Sequence, residues 1–258
     1  MVPPVTDRPA SPRFDRLDLW RGLAIVWMAC FHFSFDLNQY RIIPAQNFYA
    51  DPFWTHQRQC IVSMFLLGAG AGQAVAIDAG QAWARFWRRW AQVAGCALLV
   101  SVGSFWMFPR SWISFGVLHG MAVMLLVLRA LGTRLPPARL ARAPLAFAAV
   151  AAFAAVAWLL PHWVRDPFFD TRWTNWVGLV TPLPLTEDYV PVLPWLGTML
   201  AGYLAASLLL AHARAAFTGS VPSFARPLTV LGGWSLSFYM LHQPILIGSL
   251  ELFRMVFP

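Results

Sequence analysis

The run RLDLWRGLAIVWMACFHFSFDL, residues 16–37, decides the fold. Its stretch from Leu19 to Leu37 is long enough and apolar enough to cross a bilayer core of about 30 Å, which takes about 20 residues of helix. It also carries Arg21, His32 and Asp36, three polar groups that an ordinary membrane anchor would not hold at such depth. Six further stretches read the same way: Cys60–Ile77, Trp90–Phe108, Trp112–Leu131, Pro144–Leu160, Pro191–Ala211 and Leu228–Leu252. The expectation is an all-α, polytopic transmembrane helix bundle of about seven helices. It forms a single domain over residues 19–258, preceded by a polar tail over residues 1–18 that reads as the start of a retained anchor rather than a cleaved leader. Spans three and four are expected to meet in a tight turn at Pro109–Arg110–Ser111, and span seven to kink at Gln243–Pro244.

Composition agrees. Of 258 residues, 59% are hydrophobic and only 12% charged, with 14 Trp and 20 Phe. A soluble domain of this length needs more polar surface, whereas Trp gathers at bilayer interfaces. All 19 cationic side chains are Arg. They lie in short links between apolar spans, a pattern of membrane topology rather than a nucleic-acid footprint. Thirteen fall on the side of the first residues and six on the other, so the positive-inside rule puts the N-terminus in the cytoplasm. Cys30, Cys60 and Cys96 form no C-x-x-C and no disulfide framework. The lack of Lys excludes a retinal Schiff base.

Three histidines sit at membrane depth. With a rise of about 1.5 Å per residue, His32 and His242 lie roughly 20 Å from the cytoplasmic side, and His119 roughly 10 Å below the outer one. All three therefore fall near one level in the outer half of the bilayer. Arg21 and His32 are eleven residues apart, close to three helical turns, so they share a face roughly 16 Å apart along the axis. Asp36, at i+4 from His32, is placed to orient its imidazole, the base-plus-orienter half of a catalytic triad. Arg21, with Arg85, Arg88 and Arg89, supplies guanidinium groups for an anionic ligand at the cytoplasmic face. His56 falls in the outer loop beside Trp54. Gly68 and Gly72 form a G-x-x-x-G face suited to close helix packing. No cluster reads as a metal site.

Residues 16–37 resemble the opening helix of the heparan-alpha-glucosaminide N-acetyltransferase catalytic family, which includes small bacterial members, and Arg21 and His32 fit the Arg-plus-eleven spacing of the wider membrane acyltransferases. SFGVLH at 114–119, DYVPVLPWLG at 188–197 and LGGWSLSFYMLHQP at 231–244 resemble the family's fourth-helix, Pro-rich and closing segments, in the same order. The resemblance implies an acyltransferase of a bacterial cytoplasmic (inner) membrane that uses acetyl-CoA as co-substrate. It implies an acceptor on an amine or hydroxyl of a sugar, glycan or lipid, and a bilayer as surroundings; homo-oligomers are compatible with it. Two departures matter: the lysosomal enzyme is longer, with more helices, and its catalytic histidine lies in the loop after the first helix. His56 is the nearest counterpart by position, so His32 and His56 compete for that role. On this reading His32 with Asp36 does acid–base or nucleophilic work, and His119 or His242 stabilises the oxyanion. The alternatives are a membrane haem protein ligated by paired helix histidines and a proton-coupled permease, the latter weakened by the lack of an internal repeat.

Overall fold

The structure, a computed structural model of the chain, describes residues 14–256. Residues 1–13, including Arg8 and Arg13 and most of the expected tail, lie outside the described residues. The architecture is all-α. The long helices are α1 (Asp15–Gln39), α2 (Pro52–Asp78), α3 (Trp83–Met107) and α4 (Val117–Arg134). A short α5 (Pro137–Leu140) precedes α6 (Pro144–Trp163) and α7 (Val192–His212). Another short helix, α8 (Ala215–Thr218), leads to α9 (Arg226–Gly233) and α10 (Ser235–Val256).

Among the described residues, five helices are long and apolar enough to cross a membrane: α2, α3, α4, α6 and α7. The expected first and seventh spans are helical too, as α1 and α10, with 25 and 22 residues. Neither meets the same standard of apolarity. α1 carries Asp18, Arg21 and Asp36, and α10 carries Gln243, Glu251 and Arg254. The side chains that make these two helices polar are in large part those that build the candidate site.

The bundle is organised around α7, the most buried of the five spans, with α2 on one side and α6 on the other. Leu66, Ala74, Met124, Leu128, Met199, Leu200 and Tyr203 form the heart of the core. Tyr203 satisfies its hydroxyl on the Leu135 carbonyl at 2.9 Å. α3 and α6 are the least buried spans and present Leu98, Leu99, Trp106, Phe153 and Trp158 outward, as lipid-facing helices do.

Helix contacts are closest where glycine removes the Cβ. A Cβ on Gly70 would meet the Met199 carbonyl, and one on Gly202 would meet Leu67 backbone, so α2 and α7 touch main chain to main chain. Gly22 lies against the Leu228 carbonyl and Gly232 against the Asp18 carbonyl, which pins α9 to α1. The G-x-x-x-G pair does something different. Gly68 makes room for the Trp20 indole and Gly72 for the Arg21 guanidinium, so these positions admit side chains of α1 rather than its backbone.

Several boundaries differ from the sequence expectation. α1 starts at Asp15, inside the expected tail. His56 lies in the first turns of α2 rather than in a loop, because Asp51 caps that helix, accepting from the Phe53 amide at 2.8 Å, and Pro52 opens it. α3 begins at Trp83 and ends at Met107, and the expected tight turn forms at Pro109–Ser111, the Ser111 amide donating to the Phe108 carbonyl at 3.0 Å, but α4 begins only at Val117, so residues 112–116 lengthen the link beyond the turn. That link is held extended: the Glu187 amide donates to the Ser111 carbonyl at 3.0 Å and the Val190 amide to the Phe115 carbonyl at 3.4 Å. The seventh span is broken at Trp234, between α9 and α10, while helix continues across Pro244. The Gly232 contact with α1 fixes the direction of α9, and the chain turns immediately after it.

Gly232 and its neighbour Gly233 make a matched test. A Cβ on Gly232 collides with the Asp18 carbonyl, whereas one on Gly233 meets nothing within 4 Å. Gly232→Ala is expected to destabilise the detergent-solubilised protein by about 1–3 kcal/mol through overpacking. Gly233→Ala should leave the thermal midpoint equal or slightly raised. Equal midpoints for the two variants would contradict the α1–α9 contact.

Candidate active site

α1 and α10 bring two of the predicted histidines into contact. The rings of His32 and His242 lie 5.1 Å apart between centroids, tilted by 56°. His242 is buried, and its Nδ1 lies 2.7 Å from the Tyr239 carbonyl oxygen. A carbonyl only accepts, so Nδ1 carries the hydrogen, and in the neutral ring Nε2 keeps a free lone pair. That Nε2 is sealed from solvent and has no hydrogen-bond partner among the described residues. Phe238 stacks parallel to the ring at 6.1 Å, and Phe31 meets His32 edge-on at 5.8 Å.

Asp36 does not pair with His32 as its i+4 spacing suggests. Its carboxylate, 4% exposed, takes Gln243 Nε2 at 2.8 Å on one oxygen and 3.1 Å on the other. A buried carboxylate needs a donor, and the amide of the facing helix supplies one where the imidazole on its own helix does not. Asp36 thus ties α1 to α10 one turn from His32 and one residue from His242. It holds the two rings opposite each other through the backbone. Gln243 is the member of this site that a search for ionisable groups passes over; the signal was a polar side chain beside a membrane-depth histidine.

His119 stands apart from this pair. Its Nδ1 accepts from the Gly116 amide at 3.2 Å, which leaves the ring hydrogen on Nε2, 3.0 Å from the Ser101 hydroxyl. Ser101 donates onward to the Ile113 carbonyl at 2.7 Å. The ring therefore caps the start of α4 and fastens it to α3. His56 is exposed, with Nδ1 on the Pro52 carbonyl at 2.6 Å.

A cleft of about 410 Å³ leads toward the histidine pair. Arg21, Arg85 and Arg89 line it near the start of α1 and α3 and the end of α2. Asp18 holds Arg21 at 2.9 Å. Arg88 is exposed and is not part of the lining. Beyond the arginines the walls are mostly apolar, with Ala69, Leu118, Met121 and Leu125. The far end reaches Phe65 and Tyr239, whose rings meet edge-on at 6.5 Å. Tyr239 in turn lies 5.8 Å from His242, so one aromatic ring separates the cleft from the histidines. Arg129, 4% exposed, braces the arginine end: it donates to the Gln81 carbonyl at 2.6 Å and lies over Trp83 and Phe86 at 4.7 and 5.2 Å. On the opposite side, Phe31, Phe48 and Trp54 build an aromatic cluster, with Phe48 stacked on Trp54 at 4.0 Å.

Asp188 closes the N-terminal end of α4. Its Oδ2 accepts from the Val117 amide at 2.7 Å, an approach possible because Gly116 has no Cβ to block it. The segments 114–119 and 188–197 thus meet in space. Burial pushes the Asp188 carboxyl up to about 6, against the opposing pull of the Val117 amide and of Arg58.

A multi-span apolar helix bundle that holds an arginine-rimmed cleft, with two histidines in contact behind the Tyr239 ring, is that of an integral membrane protein. The chain belongs to the family described as "Heparan-alpha-glucosaminide N-acetyltransferase, catalytic", whose profile matches residues 13–244. It is therefore an acyltransferase of this general type, and membership implies an acyl- or acetyl-CoA-dependent reaction. No curated protein and no solved structure was found to match the chain.

Because the folded chain holds the Asp188 proton more tightly than an ordinary carboxyl near 3.8, it binds more protons than the unfolded chain between 3.8 and about 6. The stability owed to Asp188 is then present below that window and lost as pH rises through it. Asp188→Asn, which cannot titrate, is expected to gain on wild type in thermal midpoint as pH rises from about 4 to about 7. A difference between the two that does not change with pH would show that Asp188 does not titrate there.

Proposed function

We propose that the protein spans the membrane seven times with a cytoplasmic N-terminus, α1 and α10 joining the five apolar spans, and moves an acetyl group from cytoplasmic acetyl-CoA to an amine or hydroxyl of a sugar, glycan or lipid acceptor on the far side. One observation carries this reading: the cleft runs from Arg21, Arg85 and Arg89 to Tyr239, one ring away from the His32–His242 pair. The guanidinium groups suit the phosphates of the nucleotide, and the apolar walls suit the arm that carries the thioester. Arg21 and His32 stand eleven residues apart on α1, roughly 16 Å, which sets the reach between anion and chemistry.

In the reaction the acceptor nitrogen or oxygen bonds to the thioester carbon while its proton passes to His32. The tetrahedral carbon then expels the sulfur, and the proton held on His32 neutralises the departing thiolate to give the free thiol. His242 packs against His32 with its tautomer set by the Tyr239 carbonyl, and its unpaired Nε2 is the acceptor near His32 that Asp36, engaged by Gln243, does not supply. Asp36 and Gln243 are positioning residues that hold the rings together. The aromatic cluster of Phe31, Phe48 and Trp54 offers flat faces to an acceptor arriving from outside. His32 and His242 would be the residues to hold a haem, but their rings pack against each other at 5.1 Å and neither lines the cleft, which favours the transferase reading.

The test is coenzyme A release from acetyl-CoA by detergent-purified protein. His32→Ala is expected to lower the rate by about 100-fold or more with an unchanged elution profile, the usual scale of general-base loss. Asp36→Asn, which disturbs only the positioning, should cost less. Full activity in His32→Ala would remove His32 from the chemistry.

A further inference from the structure

Gln73 lies on α2, lines the cleft and is only 6% exposed. Its Nε2 is sealed from solvent and has no hydrogen-bond partner among the described residues. A buried amide nitrogen without a partner is costly to keep, and each such group in a folded chain calls for an explanation. The neighbouring residue, Gly72, is where the Arg21 guanidinium crosses α2. An anion-binding group and an unsatisfied carboxamide are therefore presented from consecutive positions on one wall. Ala69, Ala76, Met121 and Leu125 bring nothing that can hydrogen-bond through a side chain; Gln81 and Ser235 also line the cleft, but of these three uncharged polar groups Gln73 is the one with a sealed, unpaired donor. Phe65, at the far end, is eight residues along α2, about 12 Å away.

This order of groups describes a ligand. It carries phosphate first, then a neutral group that both donates and accepts hydrogen bonds, and then a stretch that runs on toward the histidines. A carboxamide has two donor hydrogens and an acceptor oxygen, so it can pair with another amide in both directions. A plain alkyl or polyprenyl phosphate would leave it unpaired. Resting on the acyl-CoA reading above, we propose that Gln73 is the residue that reads the pantetheine arm, pairing with the amide nearest the nucleotide once the phosphates lie on Arg21, Arg85 and Arg89. Gln73 thereby makes the cleft selective for an amide-bearing thioester carrier over other anionic amphiphiles.

The test compares two ligands, coenzyme A and its adenosine bisphosphate fragment, which lacks the arm, by calorimetric binding to detergent-purified wild type and Gln73→Leu. The variant is expected to bind the fragment as wild type does and coenzyme A about tenfold more weakly, the scale of one lost hydrogen bond. Its unliganded thermal midpoint should equal or exceed that of wild type, because an apolar side chain replaces an unpaired amide. Gln73→Met, more flexible in the same space, serves if the Leu variant fails to fold. Unchanged coenzyme A affinity, or an equal loss for the fragment, overturns the proposal. Wild type that binds neither ligand overturns the acyl-CoA reading itself and the role of Gln73 with it.

Discussion

A carboxylate inside an apolar bundle must find a donor, and the way Asp36 finds one governs the arrangement around it. The Gln243 amide nitrogen reaches both carboxylate oxygens from the facing helix, and Gln243 Oε1 is left without a partner of its own. The carboxamide is thus oriented by the charge it serves. Because Gln243 follows His242 directly and Asp36 lies one turn from His32, satisfying the carboxylate brings the two imidazoles together. The site is built by solving a burial problem, and the chemistry sits one residue from the solution.

The same logic explains what the sequence made legible. Apolar runs marked the long helices, since a bilayer demands such runs. Arg21 and His32 were placed on one face of α1 by helical spacing alone, and Arg21, Arg85 and Arg89 do share a cleft. Depth was legible as well, but depth is one coordinate and contact needs two more. His32 and His242 share a level and meet. His119 turns toward α3, where the Gly116 amide and Ser101 occupy both its nitrogens. Which way a helix faces is set by its neighbours, and the neighbours of α4 include a loop more than sixty residues downstream in the chain.

That loop accounts for the late start of α4. The contacts of Glu187 with Ser111 and of Asp188 with Val117 pair segments far apart in sequence, and no local pattern announces them. They hold residues 112–116 extended after the turn at Pro109–Ser111 and delay the start of α4. The break between α9 and α10 at Trp234, next to the close contact of Gly232 with Asp18 on α1, has no proline to announce it. Arg129 likewise reads in sequence as one more cytoplasmic cation, yet it is buried against Trp83 and Phe86.

Glu187 joins more than two of the connections at that end of the bundle. One carboxylate oxygen accepts from Ser111 at 2.5 Å and the other from the Tyr49 hydroxyl at 3.2 Å. The connections after α1, after α3 and before α7 are therefore riveted at a single residue. Because the two oxygens of one side chain serve two different connections, a shift in either is handed to the other through Glu187, and the three segments are placed in one mutual register rather than independently.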